Sequence, residues 1–233
     1  MMATEYYDFY TNERKEGGYS TFNTTGSKRI KVFYTGEQDG GGTTFGQDYI
    51  PMLQEKYPGR VFERAYEWCS GPGFIGYNIL SHGICKTLCL SDLYDPSITS
   101  AEITANYEEN QCKELITTYL CKDVALIPLY EQFDLVVSNP PHFNPYLFDR
   151  QTNNYGTMRI AIDLNWQAHQ NFFNNIKQHL TPNGIILLQE NSEGSTAEVF
   201  RPMIESNGMR ITNCYTDATF DRNKMYYLEV QHA

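Results

Sequence analysis

The chain has 233 residues, of which 41% are hydrophobic, and its formal net charge at pH 7 is −10. This length suffices for one large α/β domain or for one domain with an N-terminal extension, and the acidity disfavours long nucleic acid as a partner without excluding it. No run of eighteen apolar residues and no signal-peptide pattern occurs, so we expect a cytoplasmic protein with no membrane partner.

Cysteine and histidine are scattered along the chain. The six cysteines occupy positions 69, 85, 89, 112, 121 and 214, and none forms a Cys-x-x-Cys pair. We therefore expect free, mostly buried thiols. The five histidines are dispersed as well, so the sequence predicts no metal site, and no pattern in it indicates an oligomeric state.

The first 60 residues are rich in Tyr and Thr and predict an N-terminal extension or lid. A strand is predicted at residues 29–34 and a helix at 45–56, with a glycine turn at 40–42 between them and Pro58-Gly59 ending the helix.

From residue 61 to 233 the pattern alternates between buried strands and helices. The predicted strands cover residues 61–68, 87–91, 115–120, 133–138, 184–189, 209–215 and 225–230. Pro182-Asn183-Gly184 is predicted to end the helix before the fifth of these strands, and the last two strands should pair antiparallel because the segment between them is too short for a crossover helix. The fold class is therefore α/β, with an open, mostly parallel, Rossmann-like seven-stranded sheet, helices on both faces and an antiparallel C-terminal hairpin.

Polar and glycine residues follow the first three strands of this sheet. Glycines in the segment Glu67-Trp68-Cys69-Ser70-Gly71-Pro72-Gly73 let the backbone approach a ligand, and the N-terminus of the next helix favours an anion. Asp92 can accept two hydrogen bonds from a ribose diol, and Asp123 offers a further acceptor at the same edge. Each feature also has a structural interpretation, as a turn without a ligand, a helix cap or a solvated loop acid.

The segment Asn139-Pro140-Pro141-His142 directly follows the apolar strand at 133–138. The two prolines cannot donate to a sheet ladder, so the strand must end at the carboxyl edge, where ligands of open α/β sheets bind. There the Asn139 side-chain carbonyl lies beside backbone carbonyls that the prolines hold rigidly, and converging carbonyls suit a substrate with N–H groups. In isolation, Asn-Pro-Pro is also common in loops.

In this order, the motifs from about residue 61 to the C-terminus resemble those of the class I S-adenosylmethionine-dependent methyltransferases. The family's acid and Gly-x-Gly-x-Gly motif falls on Glu67, Cys69, Gly71 and Gly73, with Cys69 in place of the first glycine. The resemblance implies that S-adenosyl-L-methionine is the cofactor and that a methyltransferase domain spans residues 61–233. It also implies that Asp92 binds the ribose and Asp123 the adenine amino group.

The segment at 133–142 is similar to the amino-methyltransferase branch, whose motif is Asn/Asp/Ser-Pro-Pro-aromatic and which methylates adenine N6, guanine N2 or protein glutamine. The resemblance implies that Asn139, Pro140, Pro141 and His142 form the catalytic motif, with Asn139 also close to the cofactor. The Asn139 and Pro140 carbonyls would accept the amine hydrogens, and His142 would stack on the acceptor group or, as a lesser hypothesis, act as a base.

The loop after the motif is expected to frame the methyl acceptor, with Phe143 and Tyr146 as substrate-binding residues together with His142. The acidity favours a small amine or a peptide amide over duplex nucleic acid, although a flipped base also fits a planar slot. Two other classes stay open, a nicotinamide-linked oxidoreductase and a non-catalytic cofactor-binding subunit.

Overall fold

The computed structural model describes residues 4–8, 13–144, 161–216 and 224–233, with side chains from residue 18 onward. The first five elements, in chain order, are β1 Thr4–Asp8, β2 Glu13–Gly17, β3 Ser20–Asn23, β4 Lys31–Tyr34 and α1 Gly42–Lys56. β1 pairs with β2 and β3 with β4, both antiparallel.

The remaining elements build the main sheet and its helices. They are β5 Phe62–Trp68, α2 Phe74–Ser81, β6 Cys85–Asp92, α3 Asp95–Asn106, β7 Ile116–Leu120, β8 Phe133–Ser138, α4 Gln167–Ile176, β9 Leu180–Asn191, α5 Ala197–Glu205, β10 Met209–Tyr215 and β11 Met225–His232.

The main sheet has seven strands in the order β10-β11-β9-β8-β5-β6-β7. Its pairs from β7 to β9 are parallel, whereas β11 runs antiparallel to both β9 and β10. The predicted fold class is confirmed. Because the chain moves outward from β5 to β7 and then returns to β8 on the other side of β5, a crevice opens between the carboxyl ends of β5 and β8, where open α/β sheets bind ligands.

Alternate residues of each central strand face opposite layers of the core. On β8, Leu135 and Val137 pack in one cluster with α1, α2 and α3, whereas Val136 packs in a second cluster with α4 and α5. Both faces of the strand are apolar because both are covered by helices. The first cluster includes Tyr49 and Leu53 of α1, so the described part of the chain before residue 61 contributes to the same core as the sheet.

The strand predicted at 184–189 is longer than expected, and the predicted Pro182-Asn183-Gly184 turn is wrong. β9 begins at Leu180, which pairs with Phe133, and the register with β8 shifts before Ile185 pairs with Leu135. β11 pairs with β9 only from Ile186 onward. Pro182 is tolerated because it lies in this unpaired stretch, where no ladder hydrogen bond is needed from its nitrogen.

All six cysteines lie within the described residues and are free thiols, as predicted. Burial holds for half of them rather than for most, because Cys69 and Cys121 are half-buried and Cys214 is exposed. Among the helices that the structure describes, none is both long enough and apolar enough to cross a lipid bilayer.

Candidate active site

A cavity of about 230 Å³ opens at the carboxyl ends of β5, β6 and β8. The predicted site residues that line it are Glu67, Cys69, Gly71, Asp92, Asn139 and Pro141. A second, smaller cavity of about 40 Å³ includes Asp123 in its lining and shares Cys69, Asp92 and Leu93 with the first. Asp92 therefore lies between two adjoining cavities.

The turn after β5 has left-handed backbone at three positions. The φ angles of Cys69, Gly71 and Gly73 are +52°, +52° and +91°. A side chain at Gly73 would lie 2.8 Å from the Tyr77 ring, so glycine is needed there for packing, and Gly73 does not line either cavity. Cys69 thus adopts a left-handed backbone conformation, which costs a non-glycine residue about 1–2 kcal/mol.

Glu67 joins the end of β5 to the N-terminus of α2. One carboxylate oxygen accepts from the Gly76 N–H at 2.7 Å and the other from the Ile75 N–H at 3.3 Å. Burial raises the pKa of Glu67 to about 8, although these two hydrogen bonds oppose the rise. The predicted cofactor-binding acid thus also holds the glycine turn against the helix that follows it.

Asp92 joins the turns after β5 and β6. Its Oδ2 accepts from the Gly71 N–H and its Oδ1 from the Tyr94 N–H, each at 2.8 Å, and burial raises its pKa. Each carboxylate oxygen has a second lone pair, so the group can still accept from ligand hydroxyls.

Asp123 has a local structural role as well. Its Oδ1 accepts from the Ala125 N–H at 2.9 Å, which caps a short 3₁₀ helix, and from Asn175 Nδ2 on α4 at 3.2 Å. It belongs to the smaller cavity, on the side of Asp92 away from Asn139.

The N-terminal segment also lines the cavity, through Glu37, Gln38, Gly40 and Gly42. The sequence predicted the two glycines as part of a turn in the N-terminal extension or lid, whereas Glu37 and Gln38 were missed. The Gln38 side chain is buried, and its Oε1 accepts from the Thr35 N–H and the Ser100 hydroxyl. Its Nε2 has no hydrogen-bond partner among the described residues. The Thr-x-x-Gln spacing, typical of a helix N-terminus, was the available sequence signal.

Asn139 lies at the rim of the main cavity, half-buried, and its side-chain amide makes no hydrogen bond to any described residue. The preceding residue is held firmly, because the Tyr49 hydroxyl of α1 donates to the Ser138 carbonyl at 2.6 Å and the Ser138 hydroxyl donates to the Trp68 carbonyl. Pro140 is buried. The unpaired Asn139 amide therefore follows a firmly held stretch of backbone beside the cavity.

His142 and Phe143 lie on the other side of the motif, outside the lining of both cavities. The His142 side chain is 11% exposed, and its Nδ1 is 3.3 Å from Glu190 Oε2. Phe143 makes a short parallel bridge with Ile162, in which its N–H donates to the Ala161 carbonyl. Tyr146 lies outside the described residues.

No protein-family model matches this sequence, and no curated protein matches it either. Solved structures do share its architecture. A TehB-like S-adenosylmethionine-dependent methyltransferase from Corynebacterium glutamicum is similar with a TM-score of 0.51 at 16% identity, over 81% of this chain and 88% of that one. The T. thermophilus 16S rRNA N2 methyltransferase RsmC, solved with AdoMet and guanosine, gives 0.61 at 14% identity, over 95% of this chain and 54% of that one.

The glycopeptide N-methyltransferase MtfA gives a TM-score of 0.59 at 12% identity, over 81% of this chain and 90% of that one. This chain has the class I methyltransferase fold. At such low identities the likeness establishes the fold alone, so activity has to be argued from the site.

Proposed function

We propose that this protein is an S-adenosylmethionine-dependent N-methyltransferase that methylates a planar amide or amine nitrogen of a small molecule or of a protein side chain. The observation that carries the proposal is the unpaired Asn139 amide at the cavity rim, at the point where the strand order of a methyltransferase fold reverses. A side-chain amide that lines a cavity without a protein partner keeps its hydrogen-bonding groups for a ligand.

The two cavities support the choice of cofactor. A nucleoside whose ribose hydroxyls bind Asp92 would extend into the smaller cavity on one side, where Asp123 would accept from the adenine amino group, and into the main cavity on the other. Gln38 and Gly42, the first residue of α1, also line the main cavity, and Gln38 Nε2 is a buried donor without a partner among the described residues. The N-terminus of α1 together with this donor would fit the carboxylate of the methionine moiety.

Asn139 would act on the acceptor nitrogen. S-adenosylmethionine, when bound, supplies an electrophilic methyl group on a positively charged sulfur. An amide or exocyclic amine is a poor nucleophile because its lone pair is conjugated. The carbonyls of Asn139 and Pro140 would accept its N–H groups, and these bonds strengthen as positive charge develops on nitrogen, which lowers the barrier.

A second candidate function is N-methylation of a nucleic-acid base. The likeness to RsmC, an rRNA N2 methyltransferase solved with guanosine, extends over 95% of this chain and favours it. The net charge of −10 favours the first candidate, because binding to a phosphate backbone normally needs a basic surface.

The test has two stages. Calorimetry with S-adenosylhomocysteine and, separately, NAD should show binding of the first alone, and NAD binding alone would overturn the cofactor assignment. Transfer of labelled methyl groups is then measured to peptides, small amines and amides, free nucleosides and RNA. Transfer to peptides or small molecules supports the first candidate, and transfer to nucleosides or RNA supports the second. Binding without any transfer would favour a non-catalytic cofactor-binding subunit.

A further inference from the structure

Four ionisable side chains form a continuous chain from the Asn-Pro-Pro-His motif into the core. His142 Nδ1 is 3.3 Å from Glu190 Oε2, and Glu190 Oε1 is 3.0 Å from His169 Nε2. His169 Nδ1 is in turn 2.7 Å from Asp163 Oδ2. The side chains of Glu190 and His169 are fully buried, and Asp163 is 4% exposed. The proposed function uses none of these four residues, although the first belongs to the Asn-Pro-Pro-His motif.

Each member of the chain comes from a different part of the fold. Glu190 lies near the carboxyl end of β9, and His169 is in the first turn of α4. Asp163 precedes that helix and accepts from the backbone N–H groups of Ala168 and His169. The side chains of Asp163 and His169 are thereby held at the start of α4, and Glu190 is held by β9.

The charges alternate along this chain. Burial lowers the pKa of His169, but the carboxylates of Glu190 and Asp163 outweigh it and raise that pKa to about 9, so the ring is an imidazolium at pH 7. Burial raises the pKa of Glu190 and of Asp163, but pairing with His169 prevails and lowers both. Glu190 therefore faces His142 as an anion.

The other titratable groups near the chain stay neutral. Burial raises the pKa of Cys69 and of Tyr226, and the Tyr226 hydroxyl is paired with Ser195. The His169 ring is enclosed by aromatic side chains, with Phe200 stacked at 4.6 Å between ring centroids and Trp68 at its edge. Water is kept from the ion pairs, so their electrostatic effect on His142 is weakly screened.

A carboxylate can only accept hydrogen bonds, so Glu190 fixes the imidazole proton of His142 on Nδ1. The lone pair of His142 then lies on Nε2, which makes no hydrogen bond to any described residue. A buried chain of ion pairs contributes little net stability compared with apolar packing. Control of His142, which belongs to the same motif as Asn139, would explain why these charged groups are buried here.

We propose, on the basis of the proposed function, that Glu190, His169 and Asp163 are positioning residues that make His142 the general base of the methyl transfer. The nitrogen–methyl bond forms while the methyl–sulfur bond breaks with its electron pair left on sulfur. The acceptor nitrogen gives its surplus proton to His142 Nε2, and Glu190 stabilises the imidazolium that results. The proton passes to solvent when the product leaves.

The first test needs no methyl acceptor. In protein with ¹⁵N-labelled histidine, long-range ¹H–¹⁵N spectra at pH 7.5 should show His142 protonated on Nδ1 alone and His169 protonated on both nitrogens. In Glu190→Gln, the amide oxygen can still accept from His169 while the amide NH₂ turns toward His142, so the Nε2–H tautomer of His142 should appear. The Nε2–H tautomer in the wild type, or Nδ1–H alone in the variant, would overturn the inference.

A matched control removes a different buried carboxylate. Glu229 is 2% exposed on β11 and accepts from Thr212, Tyr215 and Tyr57 without a histidine partner. Glu229→Gln should leave the His142 tautomer as in the wild type. The same change of tautomer in both variants would mean that a general loosening of the fold causes it, and would count against the inference.

The second test uses an acceptor from the labelled-methyl screen. Glu190→Gln should lower kcat on the order of 10–100-fold and shift the acid limb of the pH profile, while KM and affinity for S-adenosylhomocysteine stay within about threefold. His142→Gln should abolish the acid limb of the pH profile. Because this substitution lies on the motif loop, it provides the test if Glu190→Gln does not fold. An unchanged pH profile in His142→Gln would overturn this inference alone, whereas a wild type that neither binds S-adenosylhomocysteine nor transfers methyl groups would overturn the proposed function as well.

Discussion

The two ends of the Asn-Pro-Pro-His motif have opposite environments. Asn139 lies at the rim of a cavity and its side-chain amide has no partner among the described residues, whereas His142, three residues later, pairs with a buried carboxylate and lines neither of the two cavities. The first environment leaves the whole side-chain amide for a ligand, whereas the second uses Nδ1 of the imidazole internally and leaves only Nε2 without a partner among the described residues. A single short motif can therefore place one side chain at a ligand cavity while buried groups set the protonation of another.

The largest expected effect is a loss of folding stability when the buried chain of charges behind His142 is broken. His169→Leu leaves Glu190 and Asp163 buried without their shared counter-charge, and breaking a buried pair in this way costs roughly 3–5 kcal/mol of unfolding free energy. Urea denaturation at pH 7 measures it. Because the folded pKa of His169 is raised to about 9, the stabilisation is complete below the ordinary histidine pKa of 6.5 and is lost as the pH rises through 9. The difference from the wild type should therefore shrink between pH 7 and pH 10.

His179→Leu is the matched control for that variant. His179 is also fully buried, but its Nδ1 pairs with the backbone carbonyl of Glu131 instead of a carboxylate. Its replacement should cost about 1–3 kcal/mol, with no comparable loss of the difference at alkaline pH. Equal costs and equal pH dependence in the two variants would contradict the charged state of His169.

Asn139→Ala tests the role of the motif residue that lines the cavity. Methyl transfer should fall by about 10²–10³-fold, as for other groups that stabilise developing charge, because the acceptor N–H loses its carbonyl partner. Affinity for S-adenosylhomocysteine should stay within about threefold. Asn106→Ala, which removes an exposed amide of α3, is the control and should match the wild type in both assays. Retained turnover in Asn139→Ala would show that the assignment of the motif is wrong.

Asp92 and Asp123 also have different surroundings, because Asp92 lines both cavities and Asp123 lines only the smaller one. Asp92→Ala should weaken S-adenosylhomocysteine binding about 10–100-fold, since hydrogen bonds to a charged group are worth about 1.5–3 kcal/mol. Asp123→Ala should have a smaller effect, because that carboxylate belongs only to the smaller cavity. Calorimetry of both variants gives the ranking, and unchanged affinity in Asp92→Ala would remove its ribose role.

The smallest expected effect is at Gln38. Gln38→Glu keeps the Oε1 acceptor for Thr35 and Ser100 but replaces the unpaired Nε2 donor by an oxygen. Binding of S-adenosylhomocysteine should weaken about 5–10-fold, roughly 1 kcal/mol. Binding of 5′-methylthioadenosine, which lacks the amino-acid carboxylate, should not change. Equal weakening for both ligands would place the carboxylate elsewhere.

The sequence alone predicted the elements whose signals are local. The apolar run at 133–138 followed by two prolines predicted β8 to the residue, and the alternation of strands and helices predicted the class of sheet. Pro182-Asn183-Gly184 misled because a proline and a glycine also fit an unpaired stretch within a strand.

The parts of the site that were missed depend on contacts between distant residues. Gln38 reaches the cavity from the segment between the predicted strand at 29–34 and the predicted helix at 45–56, and Glu190 and His169 meet only because the end of β9 lies near the first turn of α4 in the folded chain. Such pairs leave no trace in composition or periodicity. The residues at strand ends could be predicted because parallel strands bring their carboxyl ends to one edge.

Tyr49 has a consequence for any attempt to shorten this protein. Its hydroxyl reaches from α1 to the carbonyls of Ser138 and Leu187, on two adjacent strands of the central sheet. A fragment starting at residue 61 would leave both oxygens without this donor and expose the apolar face that α1 covers. Ser138, the residue before Asn139, would lose its hydrogen bond from Tyr49, so a fragment of residues 61–233 should aggregate or, under the proposed function, bind the cofactor without turnover.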